Sequence, residues 1–123
     1  MKKTKKHTRL KSSNLKWVDF ATMKFQSLVG AGCTDRFAVY RIVIAKHRKV
    51  PRSYHKIAEE LLVFLKGHGI AHVGRSKFKV AAGDTLFIRP GTPHGFITGA
   101  GPLELVAFLS PKVDAKTDFY YIR

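Results

Sequence analysis

The fold of this chain is indicated best by one stretch, which reads Ser53-Tyr54-His55-Lys56-Ile57-Ala58-Glu59-Glu60-Leu61-Leu62-Val63-Phe64-Leu65-Lys66-Gly67. It places an imidazole and a carboxylate just before an apolar run of strand length, and a glycine ends that run. A second imidazole arrives at the end of Gly83-Asp84-Thr85-Leu86-Phe87-Ile88-Arg89-Pro90-Gly91-Thr92-Pro93-His94. Two imidazoles and a carboxylate on converging strand ends are the donor set of a metal site with open positions.

The rest of the chain alternates short β-branched and aromatic runs with turn signals. The firmest predicted strand covers 37–45, and others are predicted at about 53–56, 60–66, 69–73, 76–80, 85–88, 94–98 and 103–109. Weaker strands are expected at 15–20 and 23–29, 118–122 is a last short strand or a docking tail, and helix stays open for 12–24 and 111–118. The segment 46–52 is predicted to be a basic loop, because Pro51 cannot donate to a strand ladder. This spacing predicts an all-β sandwich or barrel.

Composition places the chain among globular domains. Its 123 residues are 45% hydrophobic, which suffices for one domain with its own core. The single cysteine, Cys33, excludes an internal disulfide. No secretory signal and no apolar run of membrane-spanning length is visible, so we expect a soluble, cytoplasmic protein without membrane contact.

The charge is strongly basic, with 23 Lys and Arg against 8 Asp and Glu, a formal net charge of +15. Because bases crowd the first residues without any acid, we predict a flexible basic arm at 1–14 and a single domain at 15–123. A basic field attracts phosphates, nucleic acid or anionic headgroups. The arm lacks interleaved aromatics for base stacking, so nucleic-acid binding through it is the least favoured of three functional hypotheses.

Between about Phe37 and Pro111 the chain resembles the cupin superfamily of RmlC-like proteins. In its first motif a histidine, four residues, a glutamate, six residues and a glycine match His55, Glu60 and Gly67. In the second motif a glycine, five residues, a proline-led turn and a histidine match Gly83 and His94, with Arg89 in a proline position. The resemblance implies an all-β fold made of a single double-stranded β-helix (jelly-roll) barrel, and such barrels usually form homodimers.

The resemblance also implies a divalent metal, Fe, Mn, Zn or Ni, held by His55, Glu60 and His94. Family members commonly supply a further histidine, but Ser53 occupies that position here. Ser53 and His55 are two residues apart on a strand and should face the same interior. His47, in the preceding loop, is the candidate replacement ligand. The alternative is a metal-free barrel in which the three residues form a hydrogen-bonded polar cluster.

Candidate substrate contacts are Ser53, three arginines and two phenylalanines. An arginine forks onto a carboxylate or phosphate, which makes Arg41, Arg52 and Arg89 candidate anion contacts. Phe64 and Phe96 share strand parity with Glu60 and His94, so they are predicted to form an apolar wall.

The leading hypothesis is a metal-binding cupin that acts on a small, anionic organic molecule by oxygenase-, decarboxylase- or isomerase-like chemistry. The second is a non-catalytic cupin with a degenerate metal site that binds a small molecule or sugar. Whether the protein is an enzyme stays open at this stage.

Overall fold

The computed structural model describes residues 6–30, 32–112 and 118–122, which form a β-sandwich. One turn of 3-10 helix at Ser12–Asn14 precedes the strands. The strands are β1 Val18–Phe20, β2 Met23–Ser27, β3 Ala38–Ile44, β4 Lys49–Tyr54, β5 Glu59–Lys66, β6 His68–Val73, β7 Ser76–Ala81, β8 Thr85–Ile88, β9 His94–Ile97, β10 Leu103–Ser110 and β11 Tyr120–Tyr121. Across these ranges no helix has the length and apolar character needed to cross a membrane.

The strands form two antiparallel sheets. The six-stranded sheet has the order β1-β2-β3-β10-β5-β8, and the five-stranded sheet has the order β11-β4-β9-β6-β7. Strand β10 lies between β3 and β5 and pairs with both along most of its length. In the described part of the chain the ladders make two facing sheets rather than one closed ring, which is the sandwich form of a jelly roll.

The core lies between the sheets and follows the two-residue period of the strands. In β5 the side chains of Glu60, Leu62 and Phe64 are buried while their neighbours Glu59, Leu61 and Leu65 are exposed. Ala71 and Phe96 face them from the five-stranded sheet. Burial of Glu60 on this apolar face places a carboxylate where only a specific partner can compensate for lost water.

Position 67, the last of the first motif, requires glycine because the backbone just before β10 passes very close to it. Its φ is +81°, a conformation that side chains other than glycine rarely adopt. A Cβ at this position would lie 2.1 Å from the backbone oxygen of Pro102. The glycine therefore lets β5 turn into β6 directly beneath the start of β10.

Two expectations about local structure are wrong. Within 12–24, helix forms only over Ser12–Asn14, as a 3-10 turn, and the range also contains β1 and the first residues of β2. The predicted loop at 46–52 ends at Lys49, because β4 continues through Pro51. The register between β4 and β9 shifts between Val50 and Ser53, which forms a β-bulge. Pro51 lies in this bulge, where no ladder hydrogen bond from its nitrogen is needed.

Only some of the expectations for the C-terminal part of the chain can be compared with the structure, which describes residues up to 112 and again from 118 to 122. Most of the second helix candidate, 113–117, lies outside them. The last short strand is confirmed, because Tyr120 and Tyr121 pair with β4. The basic arm at 1–14 and the domain at 15–123 stay predictions.

Candidate metal centre

Three buried side chains from different strands converge between the sheets. His55 follows β4, Glu60 lies in β5 and His94 begins β9, and each is less than 9% exposed. The Nε2 atom of His94 lies 2.9 Å from Oε1 of Glu60, and Nε2 of His55 lies 3.7 Å from the same oxygen. One ligand atom from each residue lies within 4.8 Å of the others. The described residues thus place a two-histidine, one-carboxylate set in a single site.

The hydrogen bonds of the two imidazoles set their tautomers. Nδ1 of His94 lies 2.9 Å from the backbone oxygen of Thr92, and Nδ1 of His55 contacts the backbone oxygen of Asp118. A carbonyl only accepts hydrogen bonds, so in both rings Nδ1 must carry the proton. The lone pairs of both Nε2 atoms are therefore directed at Glu60. Metal-binding histidines are commonly oriented in this way by the hydrogen bond of the other ring nitrogen.

The donor set fits a divalent cation. Oε1 of Glu60 is buried and, when Nε2 of His94 carries no proton, has no hydrogen-bond donor among the described residues, although that nitrogen lies 2.9 Å away. Two acceptors at this distance need a cation or a proton between them. Two imidazole nitrogens and a carboxylate oxygen are ligands that Fe, Mn, Zn and Ni accept.

Without a metal, the same pair attracts a proton. Burial lowers the pKa of His94, but the hydrogen bond and negative charge of Glu60, with the Thr92 carbonyl, outweigh this effect. The pKa of His94 is raised above its ordinary value as a result. The same position can therefore hold either a proton or a metal ion, and a metal would have to displace the proton.

Asp118 supports the first histidine motif from the other end of the chain. Its carboxylate is buried and accepts the backbone N–H groups of Lys56, Ile57 and Ala58 at 2.8, 3.2 and 3.2 Å. Its own backbone oxygen accepts the Nδ1 proton of His55. Sequence reasoning missed this residue, and the only signal for it was an acid directly before the aromatic run Phe119-Tyr120-Tyr121.

The two motifs are also joined directly. The backbone N–H of Gly91 donates to the backbone oxygen of His55 at 2.6 Å, which fixes the loop that leads to His94. Ser53 and His94 are register partners in the β4–β9 ladder. The relative placement of the two histidines is therefore set by backbone pairing.

A cavity of about 40 Å³ adjoins the three residues, enough for a few water-sized groups. Apart from Ser53, His55, Glu60 and His94, its wall is aromatic and aliphatic. The wall residues are Phe20, Met23, Phe25, Tyr40, Ile42, Val50, Leu62, Phe96, Leu105, Ala107, Leu109 and Phe119. Those from β1, β2 and the C-terminal segment were missed by sequence reasoning, because nothing in their local pattern links them to the motifs.

The predicted substrate residues divide into two groups. Ser53 and Phe96 line the cavity, whereas Phe64 packs edge-on behind Phe96 at 6.1 Å between ring centroids and is not part of the wall. The three arginines lie elsewhere. Among the described residues that line the cavity, none is Lys or Arg.

Each arginine has a partner of its own. Arg41 forms an ion pair with Glu104, with Nη2 3.0 and 3.1 Å from the two carboxylate oxygens. Arg52 donates to the backbone oxygen of Gly74, and Arg89 lies over the Phe87 ring.

His47 is not brought to the site. It is exposed in the turn before β4 and is not part of the cluster formed by the other two histidines and Glu60. The replacement-ligand expectation for His47 is therefore wrong.

Comparison with known proteins agrees with this architecture. The family model described as "Cupin domain" matches residues 40–109, more than half of the chain. The chain belongs to the cupin family. The cupin prediction and the all-β jelly-roll prediction are thereby confirmed, and the three metal-site residues lie where a metal could be bound.

One protein known by sequence and several solved structures resemble this chain, and the solved structures share its fold. An uncharacterised protein of Methanocaldococcus jannaschii is 42% identical over 40 residues. The match covers 32% of this chain and 32% of that protein. The Streptomyces nucleoside dehydratase PAC13, solved with uridine, has a TM-score of 0.80 at 13% identity and covers 97% of this chain and 93% of its own. The polyketide cyclase RemF of Streptomyces resistomycificus has a TM-score of 0.80 at 18% identity, covering 95% and 86%.

Proposed function

We propose that this cupin binds one divalent metal through His55, Glu60 and His94 and acts on a compact organic molecule that carries one anionic oxygen. The convergence of two Nε2 lone pairs and one carboxylate oxygen in an apolar cavity supports this proposal most directly. Thr92 and Asp118 hold both imidazoles in the tautomer that a metal requires.

The net charge of the site limits which ligands it would accept. Two neutral imidazoles, one carboxylate and a divalent ion leave a single positive charge in an apolar cavity, and an uncompensated buried charge is costly. One carboxylate, enolate or phenolate oxygen would neutralise it. A sugar phosphate or nucleotide carries more negative charge than this, and no Lys or Arg among the described lining residues is placed to receive it. The anionic substrate expected from the sequence is therefore proposed in the narrower form of a monoanion.

The lining residues of the chain would bind and orient such a molecule. A bound divalent metal supplies Lewis acidity or, as iron, oxygen activation. Phe96 and Phe119 provide apolar contacts for the body of the substrate and exclude water from it. Ser53 is buried beside the histidines, where its hydroxyl can donate to a substrate oxygen. Oxygenation, decarboxylation and isomerisation are the reaction classes proposed.

A metal-free binding protein is the second candidate. It is favoured by the short His94–Glu60 contact, which a shared proton satisfies without a metal, and by Ser53 in the position of a motif histidine. In that case the apolar wall would select a small apolar molecule. A sugar is less suitable, because its hydroxyl groups would find few partners on this wall.

Metal analysis distinguishes these candidates. Protein purified without a metal-affinity tag or chelator is analysed for Fe, Mn, Zn and Ni beside Glu60→Gln, with His68→Gln as a control that removes an exposed histidine. We expect about one metal ion per chain in the wild type and the control, and a large loss in Glu60→Gln. A wild type that contains no metal and takes up none on titration contradicts the metal site and leaves the metal-free binding protein.

A further inference from the structure

The charged residues of the strands are divided unequally between the two sheets. The described strands of the five-stranded sheet contain four Lys or Arg residues and no Asp or Glu. The strands of the six-stranded sheet contain three basic and four acidic residues. The metal centre does not explain this difference, because none of these four bases lines its cavity.

The register places the four bases on one surface. Across the five-stranded sheet, Lys79 pairs with Ile70, Ile70 with Ile97, and Ile97 with Lys49. Two residues along the same strands, Lys77 pairs with His72. The neighbouring pair Ala71–Phe96 is buried on the inner side, so these residues lie on the outer side. We call the outer surface formed by Lys49, Arg52, His72, Lys77 and Lys79 the basic face.

The basic face has two charged sides and an apolar strip between them. Lys77 and Lys79 lie on β7, and Lys49 and Arg52 lie on β4, so the two sides are separated by three strand spacings, roughly 14 Å. Ile70 and Ile97 occupy the strip, and Ile70 is 36% exposed. Two residues further along, the strip holds the register partners Gly95 and His72.

The cations of the basic face act on one another. Partial burial in the sheet surface lowers the pKa of His72, and the positive charges of Arg52, Lys77 and Lys49 lower it further. Arg52 is held in place by its hydrogen bond to the backbone oxygen of Gly74, which leaves other guanidinium donors for an anion. Like charges held this close favour an anionic partner.

We propose that the basic face binds single-stranded nucleic acid. A strand crossing the sheet would place phosphates against both charged sides and a base over Ile70 and Ile97. Charge spread over roughly 14 Å matches a repeating phosphate backbone better than one small anion. The strip presents two isoleucines and no aromatic ring for insertion into a membrane. Binding of nucleic acid here would therefore be driven by the phosphates and would depend on salt. This site is separate from both the basic arm and the metal cavity.

Salt-dependent binding tests the proposal. A fluorescein-labelled oligouridylate of about 12 nucleotides is titrated with the full chain, and anisotropy is followed at several salt concentrations. The test variant carries Lys49→Gln, Lys77→Gln and Lys79→Gln. The control carries Lys24→Gln, Lys66→Gln and Lys112→Gln, which remove the same charge from exposed positions elsewhere.

The expected result has two parts. Loss of three phosphate contacts should reduce the slope of log affinity against log salt by about 2, and should weaken binding at least about tenfold at physiological salt. The control should keep the wild-type slope. Should the three-site variant fail to melt like the wild type, Lys77→Gln/Lys79→Gln provides the same test, with an expected slope reduction of about 1.4.

Three results would overturn the proposal. The first is a wild type that does not bind the oligonucleotide at low salt. The second is an equal loss in the test and control variants, which would mean that only the net charge acts. The third is a preference for duplex RNA or for phosphatidylserine vesicles that is lost in the test variant, which would assign the basic face to a different partner.

Discussion

His55 donates its Nδ1 proton to the backbone oxygen of Asp118, a residue 63 positions later in the chain. The carboxylate of Asp118 also accepts the backbone N–H groups of Lys56, Ile57 and Ala58. The C-terminal segment 118–122 therefore belongs to the candidate metal centre, because it fixes both the ring of His55 and the backbone that follows it.

Removal of the Asp118 carboxylate should weaken both the site and the fold. Asp118→Ala leaves three backbone N–H groups without their acceptor, which should lower the free energy of unfolding by roughly 3 kcal/mol. Displacement of the segment should also lower metal affinity about 10- to 100-fold. Urea unfolding and competition with a chromophoric chelator measure the two effects. Asp118→Asn keeps one acceptor oxygen, so its stability and metal affinity should lie between those of the wild type and Asp118→Ala. Wild-type metal affinity in Asp118→Ala would contradict this role.

The pKa of His94 predicts how the stability of chelator-treated protein depends on pH. Burial opposes protonation, but the hydrogen bond and charge of Glu60, with the Thr92 carbonyl, raise this pKa above 6.5. Protonation therefore stabilises the fold fully below 6.5, and that contribution is lost as pH rises through the folded-state pKa. We therefore expect the melting temperature to decrease as pH rises from 6.5 through the folded-state pKa of His94. Glu60→Gln should remove this component, and an unchanged pH profile in that variant would show that the pair is not its source.

Phe119 should limit the size of the ligand. Its ring packs edge-on against Phe20 at 5.0 Å and against His55 at 6.2 Å between centroids, and it forms part of the cavity wall. Phe119→Ala should enlarge the cavity at a stability cost of about 3 kcal/mol, the low end for phenylalanine because this ring is only half-buried. In cobalt-substituted protein, the visible spectrum should then respond to benzoate as well as to acetate. Phe78→Ala, at an exposed aromatic outside the wall, is the control; an identical response of both variants to the two carboxylates would be inconsistent with this role.

Gly67 and Gly74 provide a matched test of the first motif's glycine. Both have positive φ, +81° and +58°, but only at Gly67 would a Cβ meet backbone, at 2.1 Å from the Pro102 oxygen. Gly67→Ala should therefore cost roughly 3 kcal/mol of unfolding free energy. Gly74→Ala should cost only about 1 kcal/mol, from backbone strain alone. Denaturant unfolding measures both, and equal losses would mean that the contact with Pro102 does not matter.

Several features of this protein are local in origin, and the sequence by itself determined them. Strand periodicity places Glu59 and Glu60 on opposite faces, because successive side chains of a strand point to opposite sides of the sheet. The resemblance of the two motifs to those of cupins identified His55, Glu60 and His94 as one set, and the structure brings them together.

Other features depend on which strands become neighbours, and only the tertiary structure decided them. Arg41 was a candidate anion contact, but pairing of β3 with β10 brings it to Glu104 instead. Asp118 reaches His55 only because the C-terminal segment pairs with β4. The basic face likewise exists only because β4, β9, β6 and β7 lie side by side. Local spacing sets the face on which a side chain lies, whereas sheet pairing between distant segments sets its neighbours, and those contacts decide its chemistry.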